Sequence, residues 1–170
     1  MMLTLIKVIY LFLPAYCANM APVFASSLKL PFGQPISIKY FGEHKTWRGF
    51  ITGFFAALLV LYIQKYFKID NISLLDYDQI SIWLYAFVFG IGALTGDLVK
   101  SFFKRWFNKK PGVAWFPFDQ VDFIVGAIIF LYPLYQIDLK TLLILLIITP
   151  ILHIIANIIG YFLGLKSVWW

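Results

Sequence analysis

Apolar residues run along this chain in five long stretches, separated by short polar segments. The stretches cover 3–24, 49–67, 80–99, 121–137 and 141–165. A helix needs about 20 apolar residues to cross the hydrocarbon core of a bilayer. Lipid offers no partner to an open sheet edge, so such stretches predict helices rather than strands. The expected fold is an all-α membrane protein: a bundle of five transmembrane helices with two functional loops at the cytoplasmic side. Residues 1–170 carry no break in composition, which predicts a single domain. The fourth stretch is the shortest of the five.

Prolines and glycines punctuate these stretches. Pro14 and Pro22 bracket Asn19 in the first, where freed backbone groups either line a polar cavity or mark a simple kink. Pro133 and Pro150 read as boundary features of the fourth and fifth helices. Gly92 with Gly96, and Gly160 with Gly164, are small-xxx-small pairs that predict close helix packing.

Composition agrees with the pattern. Hydrophobic residues are 62% of the chain and charged residues 13%, more apolar surface than a soluble domain of this length hides. Only Cys17 is present, so no internal disulfide forms. No charge precedes Lys7 and the apolar run continues to Phe24, so the first stretch reads as a retained span rather than a cleaved leader.

The net charge of +6 is unevenly placed. Lys29, Lys39, Lys45 and Arg48 lie in the first loop. Lys100, Lys104, Arg105, Lys109 and Lys110 lie in the third, and Lys166 near the C-terminus. The opposite side holds Lys65, Lys68 and Lys140. Cytoplasmic loops carry the excess of Lys and Arg, so the N-terminus is expected outside and the C-terminus in the cytoplasm. The expected location is a cell membrane, crossed several times.

Asp97, Lys100, Ser101, Lys104 and Arg105 recur at the spacing of one helical stripe. Three cations and a hydroxyl on one face suit a polyphosphate. They also suit a basic helix reaching toward anionic headgroups. Asp97 favours the first reading, because a carboxylate at the end of a span is costly without a partner or a task. Asp119 and Asp122, three residues apart, open the fourth helix. They read equally as Mg²⁺ ligands or as acids favoured by a helix N-terminus. Asp97 ends the preceding span on the same membrane face, which makes convergence of all three expected. The first loop offers Lys45, Thr46 and Gly49 ahead of the second helix, a weak phosphate-binding pattern that is also an ordinary basic flank. His44 reads as a loop residue. His153 and Asn157 are one turn apart and read as a helix-to-helix hydrogen-bonding pair. Neither a P-loop nor a Ser-His-Asp or Cys-His set is present.

These residues resemble a known family. Ser101-x-x-Lys104-Arg105, then Lys109-Lys110-Pro111-Gly112, then Asp119-Gln120-x-Asp122 resemble the signature of the CDP-diacylglycerol synthases. Lys45-Thr46-Trp47-x-Gly49 resembles a second motif of that family, and Asn19-x-x-Pro22 an early element. Chain length and five stretches resemble the archaeal branch, the CDP-archaeol synthases. There are departures from the longer branches: Arg48 stands where an acid is common, and a His-Gly-Gly element before the Asp pair is missing.

The resemblance implies a Mg²⁺-dependent reaction of CTP with a lipid phosphate, 2,3-bis-O-geranylgeranylglycerol 1-phosphate, giving a CDP-lipid and pyrophosphate. Taken with the expected convergence of the acids, it makes Asp97, Asp119 and Asp122 the expected metal ligands, with Lys104 beside them in the catalytic set. Asn19, Lys45, Thr46, Gly49, Lys100, Ser101, Arg105, Lys109 and Lys110 would line the nucleotide and phosphate site. The partners expected are CTP, the lipid phosphate and the bilayer, with no nucleic acid and no sign of an oligomer. The main rival is a small ion or solute transporter with a basic cytoplasmic vestibule. It fits poorly with acids gathered at one surface and no internal repeat. A CDP-alcohol phosphotransferase or a lipid phosphatase lacks its motif here, and a non-catalytic scaffold leaves the mixture of acids and bases unexplained.

Overall fold

The computed structural model describes residues 2–109, 113 and 115–165. Lys110, Pro111, Gly112 and Lys166 therefore lie outside the described residues. Among the described residues the chain is helical and forms no strand, only an isolated bridge between Pro35 and Thr46. Helix α1 covers Met2–Ser27 and the short α2 Ile38–Phe41. Helix α3 covers Trp47–Phe67. Helix α4, Ile82–Ala86, passes through a π-helical turn, Phe87–Ile91, into α5, Gly92–Trp106. Helix α6 is Phe118–Leu131 and α7 is Leu139–Phe162.

Among the described residues four helices are long and apolar enough to cross a membrane: α1, α3, the continuous Ile82–Trp106 and α7. The fourth expected stretch differs. Its helix starts earlier than 121, at Phe118, and stops at Leu131, after 14 residues. Tyr132 to Leu134 turn instead, with Pro133 at the break. Fourteen residues rise about 21 Å.

Local chemistry sets the ends. Thr46 caps α3 by accepting the Gly49 amide at 3.2 Å. Asp138 caps α7 by accepting the Thr141 amide at 3.0 Å. Such side chains satisfy amides that the first turn leaves without partners. Two sequence expectations change here. Pro150 lies inside α7 rather than at its boundary. Gly164 ends that helix at φ +69, with nothing near its absent side chain, instead of packing against a neighbour.

The prolines of α1 explain how α3 docks. Pro14 has no N–H for the Tyr10 carbonyl one turn earlier. The Gln64 side chain of α3, 2% exposed, donates to that carbonyl at 2.7 Å. Pro22 similarly frees the Ala18 carbonyl. Gly53 of α3 lies so near that a Cβ there would come within 2.9 Å of the Ala18 oxygen. The core between helices is filled by Leu11, Phe12, Leu61, Phe89, Phe123 and Leu131, all under 2% exposed. Phe12 meets Phe89, and Tyr16 meets Phe123, edge to face at 5.5 and 5.4 Å.

Helices α5 and α6 approach most closely. A Cβ on Gly96 would overlap the Asp122 carbonyl, and one on Gly126 would overlap the Gly92 carbonyl. The Gly92 and Gly96 pair thus packs as the sequence predicts. The first loop is folded rather than open. Ile36 donates to Lys45, Trp47 to Gln34 and Arg48 to Phe32 through the backbone, at 2.7, 3.2 and 2.8 Å. The Arg48 side chain pins this loop to the Leu30 carbonyl at 2.8 Å and to the Ser26 hydroxyl at 3.2 Å.

Candidate active site

The stripe on α5 faces α6 and the first loop, and most of the expected residues meet there. Lys100 is the centre. Its ammonium lies 3.1 Å from Asp97 Oδ1, 2.9 Å from Asp119 Oδ1 and 2.9 Å from Asp122 Oδ2. Lys45, from the loop before α3, pairs with Asp97 Oδ2. Lys104, one turn beyond Lys100, pairs with Asp119 at 2.7 Å and donates to the Val113 carbonyl at 2.8 Å. Three acids and three lysines thus interlock across α5, α6 and the first loop.

The cluster is enclosed. The Lys100, Asp119 and Asp122 side chains are 14%, 16% and 6% exposed. At that depth charges interact more strongly than in water and are costly unless paired. Asp119 precedes the apolar run of α6. The Trp115 amide donates to Asp119 Oδ2 at 2.6 Å. Asp119 Oδ1 and Asp122 Oδ2 are buried oxygens that accept no well-directed hydrogen bond, although Lys100 is beside both.

The expected residues divide by role. Asp97, Asp119, Asp122, Lys45, Lys100 and Lys104 form the cluster itself. Ser101 is buried and donates to the Asp97 carbonyl at 2.8 Å within its own helix. Arg105 donates to the Lys109 carbonyl at 2.8 Å, and Lys109 lies over the Trp115 ring at 5.6 Å. Arg105 and Lys109 therefore build the edge of the site beside the acids. Thr46 caps α3, and Gly49 lets it approach α1, where a Cβ would come 3.2 Å from Pro22. Asn19 faces elsewhere. It lines a small cavity of about 60 Å³ between α1 and α7 with Val23, Phe24, His153, Asn157 and Gly160, and none of the carboxylates borders it. His153 and Asn157 hydrogen-bond one another along α7 at 3.4 Å. Lys110 lies outside the described residues.

Sequence reasoning passed over Trp115, which supplies both an amide to Asp119 and a ring to Lys109. Backbone donors leave no trace in a motif, so no spacing signals it. Gln120 is also buried, at 6% exposure, with its side-chain oxygen unpartnered. Its place between two acids was the available signal. Among the described residues no three His, Cys, Asp or Glu side chains stand ready-made around a metal ion. The three carboxylates converge on the Lys100 ammonium.

Comparison with known proteins bears on the same residues. A sequence profile for a family described as CarS-like, CDP-archaeol synthase, matches residues 1–170. A CDP-archaeol synthase of Pyrococcus furiosus is 34% identical over 98% of this chain and 98% of its own. Another, of Thermococcus gammatolerans, is 38% identical over 93% of this chain and 92% of its own. A solved structure of an intramembrane enzyme for archaeal membrane lipid biosynthesis superposes with a TM-score of 0.73. It shares 26% identity and covers 88% of this chain and 92% of its own.

Proposed function

The chain belongs to the CDP-archaeol synthase family, multi-pass membrane enzymes of cytidylyltransferase type, and on that premise we propose how its residues act. The reaction is transfer of CMP from CTP to 2,3-bis-O-geranylgeranylglycerol 1-phosphate, with release of pyrophosphate. The observation that carries this reading is the convergence of Asp97, Asp119 and Asp122 with Lys45, Lys100 and Lys104.

The lipid phosphate is already an anionic oxygen nucleophile and needs no strong base. It needs positioning against the α-phosphorus of CTP and relief of charge repulsion. Lys104, Arg105 and Lys109 bind phosphate oxygens along the mouth of the site. Lys45 brings a further cation from the first loop. Ser101, Thr46 and Gly49 hold the walls in shape: Ser101 within α5, Thr46 and Gly49 at the start of α3.

The carboxylate set fits Mg²⁺. It is all oxygen, the ligand type this ion prefers, and two of its oxygens lack well-directed hydrogen bonds. Asp97, Asp119 and Asp122 would hold the ion, which when bound supplies positive charge to the triphosphate and the leaving pyrophosphate.

In the membrane we place α6 as a fifth, short span, packed against α5 through the glycine contacts. The N-terminus is then outside, and the acid cluster faces the cytoplasm, where CTP is found. The excess of Lys and Arg at the cluster's end of the bundle supports this orientation. Residues 1–170 act as one domain.

The test is CMP transfer by detergent-solubilised protein supplied with CTP, Mg²⁺ and the lipid phosphate. Asp119→Asn and Asp122→Asn are each expected to lower kcat by about 100-fold or more, the several kcal/mol that a lost metal ligand removes. Pyrophosphate release near the wild-type rate in either variant would remove that residue from the metal site.

A further inference from the structure

Lys100 carries one stripe position on α5, and among the three lysines of the cluster it alone meets all three acids. Its ammonium is enclosed by three carboxylates, at 3.1, 2.9 and 2.9 Å. A lysine has three N–H donors, and here each acid is within reach of one. The side chain is 14% exposed, so water supplies little of its solvation. This is the place of a cation, not of a general phosphate contact.

We infer that Lys100 is an internal counter-cation: it holds Asp97, Asp119 and Asp122 together while no divalent ion is bound, and it yields its place when one binds. The inference rests on the metal reading above and goes beyond it. Three carboxylates gathered at this depth with no cation among them would repel one another strongly. Lys45 reaches Asp97, and Lys104 reaches Asp119, but among the three lysines only Lys100 pairs with Asp122. A divalent ion and the ammonium would compete for the same oxygens and repel each other at contact distance. Lysine suits such exchange because its charge is compact and its stem flexible. Once displaced, the Lys100 ammonium is free to swing outward along its stripe and join Lys104 and Arg105 on the phosphate side. Loading of the ion and recruitment of a phosphate-binding cation thereby become one event.

The test uses the full chain in detergent, without CTP or lipid substrate. Mn²⁺ binding is read from the free-ion electron paramagnetic resonance signal, with Mg²⁺ as competitor. Lys100→Gln removes the competing charge and is expected to bind Mn²⁺ about tenfold more tightly than wild type. Its metal-free form is expected to melt earlier, with Mg²⁺ restoring the difference. In parallel, trace acetylation of the wild-type protein is read by mass spectrometry with and without Mg²⁺. Lys100 labelling is expected to rise several-fold with the ion while that of exposed Lys68 stays constant, a readout that does not depend on any variant folding. Equal or weaker Mn²⁺ binding by Lys100→Gln, or Lys100 labelling unchanged by Mg²⁺ in a protein that binds it, overturns the inference alone. A wild-type protein that binds no Mn²⁺ at all overturns the metal reading and this inference with it.

Discussion

Helix α3 links two groups of charges that behave oppositely. Before its N-terminus Lys45 enters the enclosed cluster on α5 and α6. At its C-terminal end, about 30 Å away, Lys65 in the last turn and Lys68 just after it pair with Asp78. The outer group lies open, with Lys68 53% and Asp78 55% exposed. The inner group is shielded, and its three acids share three lysines, one of which meets all three. Both contain Lys–Asp pairs of similar kind. Depth and crowding distinguish them: exposed pairs are screened and contribute little, whereas an enclosed set is costly to form and costly to break singly. Charges collected at such a cost are the ones to associate with catalysis.

The largest effect that sharpens this contrast is expected inside the cluster. Lys104→Ala removes a partner of Asp119 and a phosphate contact. It is expected to lower kcat/KM by about 10- to 100-fold, carried by a raised KM for CTP, a lowered kcat or both. Steady-state rates across CTP concentrations check it, and wild-type values for both constants would place Lys104 among the outer, dispensable charges. Next comes Gly126→Ala. The added methyl overlaps the Gly92 carbonyl, so α5 and α6 must separate. A loss of about 1–3 kcal/mol is expected from such overpacking, visible as a lower Tm, with activity falling as Asp122 moves from Asp97. An unchanged Tm would show that the close approach does not hold the acids together.

A smaller loss is expected midway along α3. Gln64→Leu leaves the Tyr10 carbonyl unpaired, at about 0.5–1.5 kcal/mol, measured as a shift in Tm with little change in rate. The smallest effect belongs to the outer group. The hydrogen bond and charge of Lys68 hold the Asp78 carboxyl below its ordinary value. The pair's contribution is then present at neutral pH and fades as pH falls through the folded-state value. Solvent around both partners makes that contribution slight. Asp78→Asn is expected to leave both Tm and activity at wild-type levels, and a marked loss of either would erase the distinction between the two ends.

Much of this arrangement is legible in the chain because two strong signals agree. Hydrophobic length marks the long helices, and the recurrence of Asp97, Lys100, Ser101, Lys104 and Arg105 marks one face of α5. The convergence of three acids also follows, since two helices ending at one membrane surface bring their termini together. Other roles were hidden for physical reasons. Thr46 and Ser101 look like phosphate ligands, but hydroxyls also bond to nearby backbone, and here they do so. Gly49 looks like part of a loop motif and is a contact between helices. Lys100 is indistinguishable from Lys104 by period alone, because a stripe gives direction and not the number of acids met. Pro150 resembles a boundary yet stays within α7, as neighbouring helices and lipid allow in a span. Gln64 gave no motif. Its task is created by a missing N–H fifty residues earlier, at Pro14.

The π-helical turn at Phe87–Ile91 sets the angular phase of everything after it. Such a turn accommodates one more residue than a regular turn, and each residue advances a helix by about 100°. The apolar face of α4 and the charged stripe of α5 are therefore out of step by that offset along one continuous rod. A single-residue deletion within Phe87–Ile91 would restore even winding and rotate Asp97, Lys100 and Lys104 away from α6 without altering any of them. The location of the charged cluster thus depends on a turn that bears no charge.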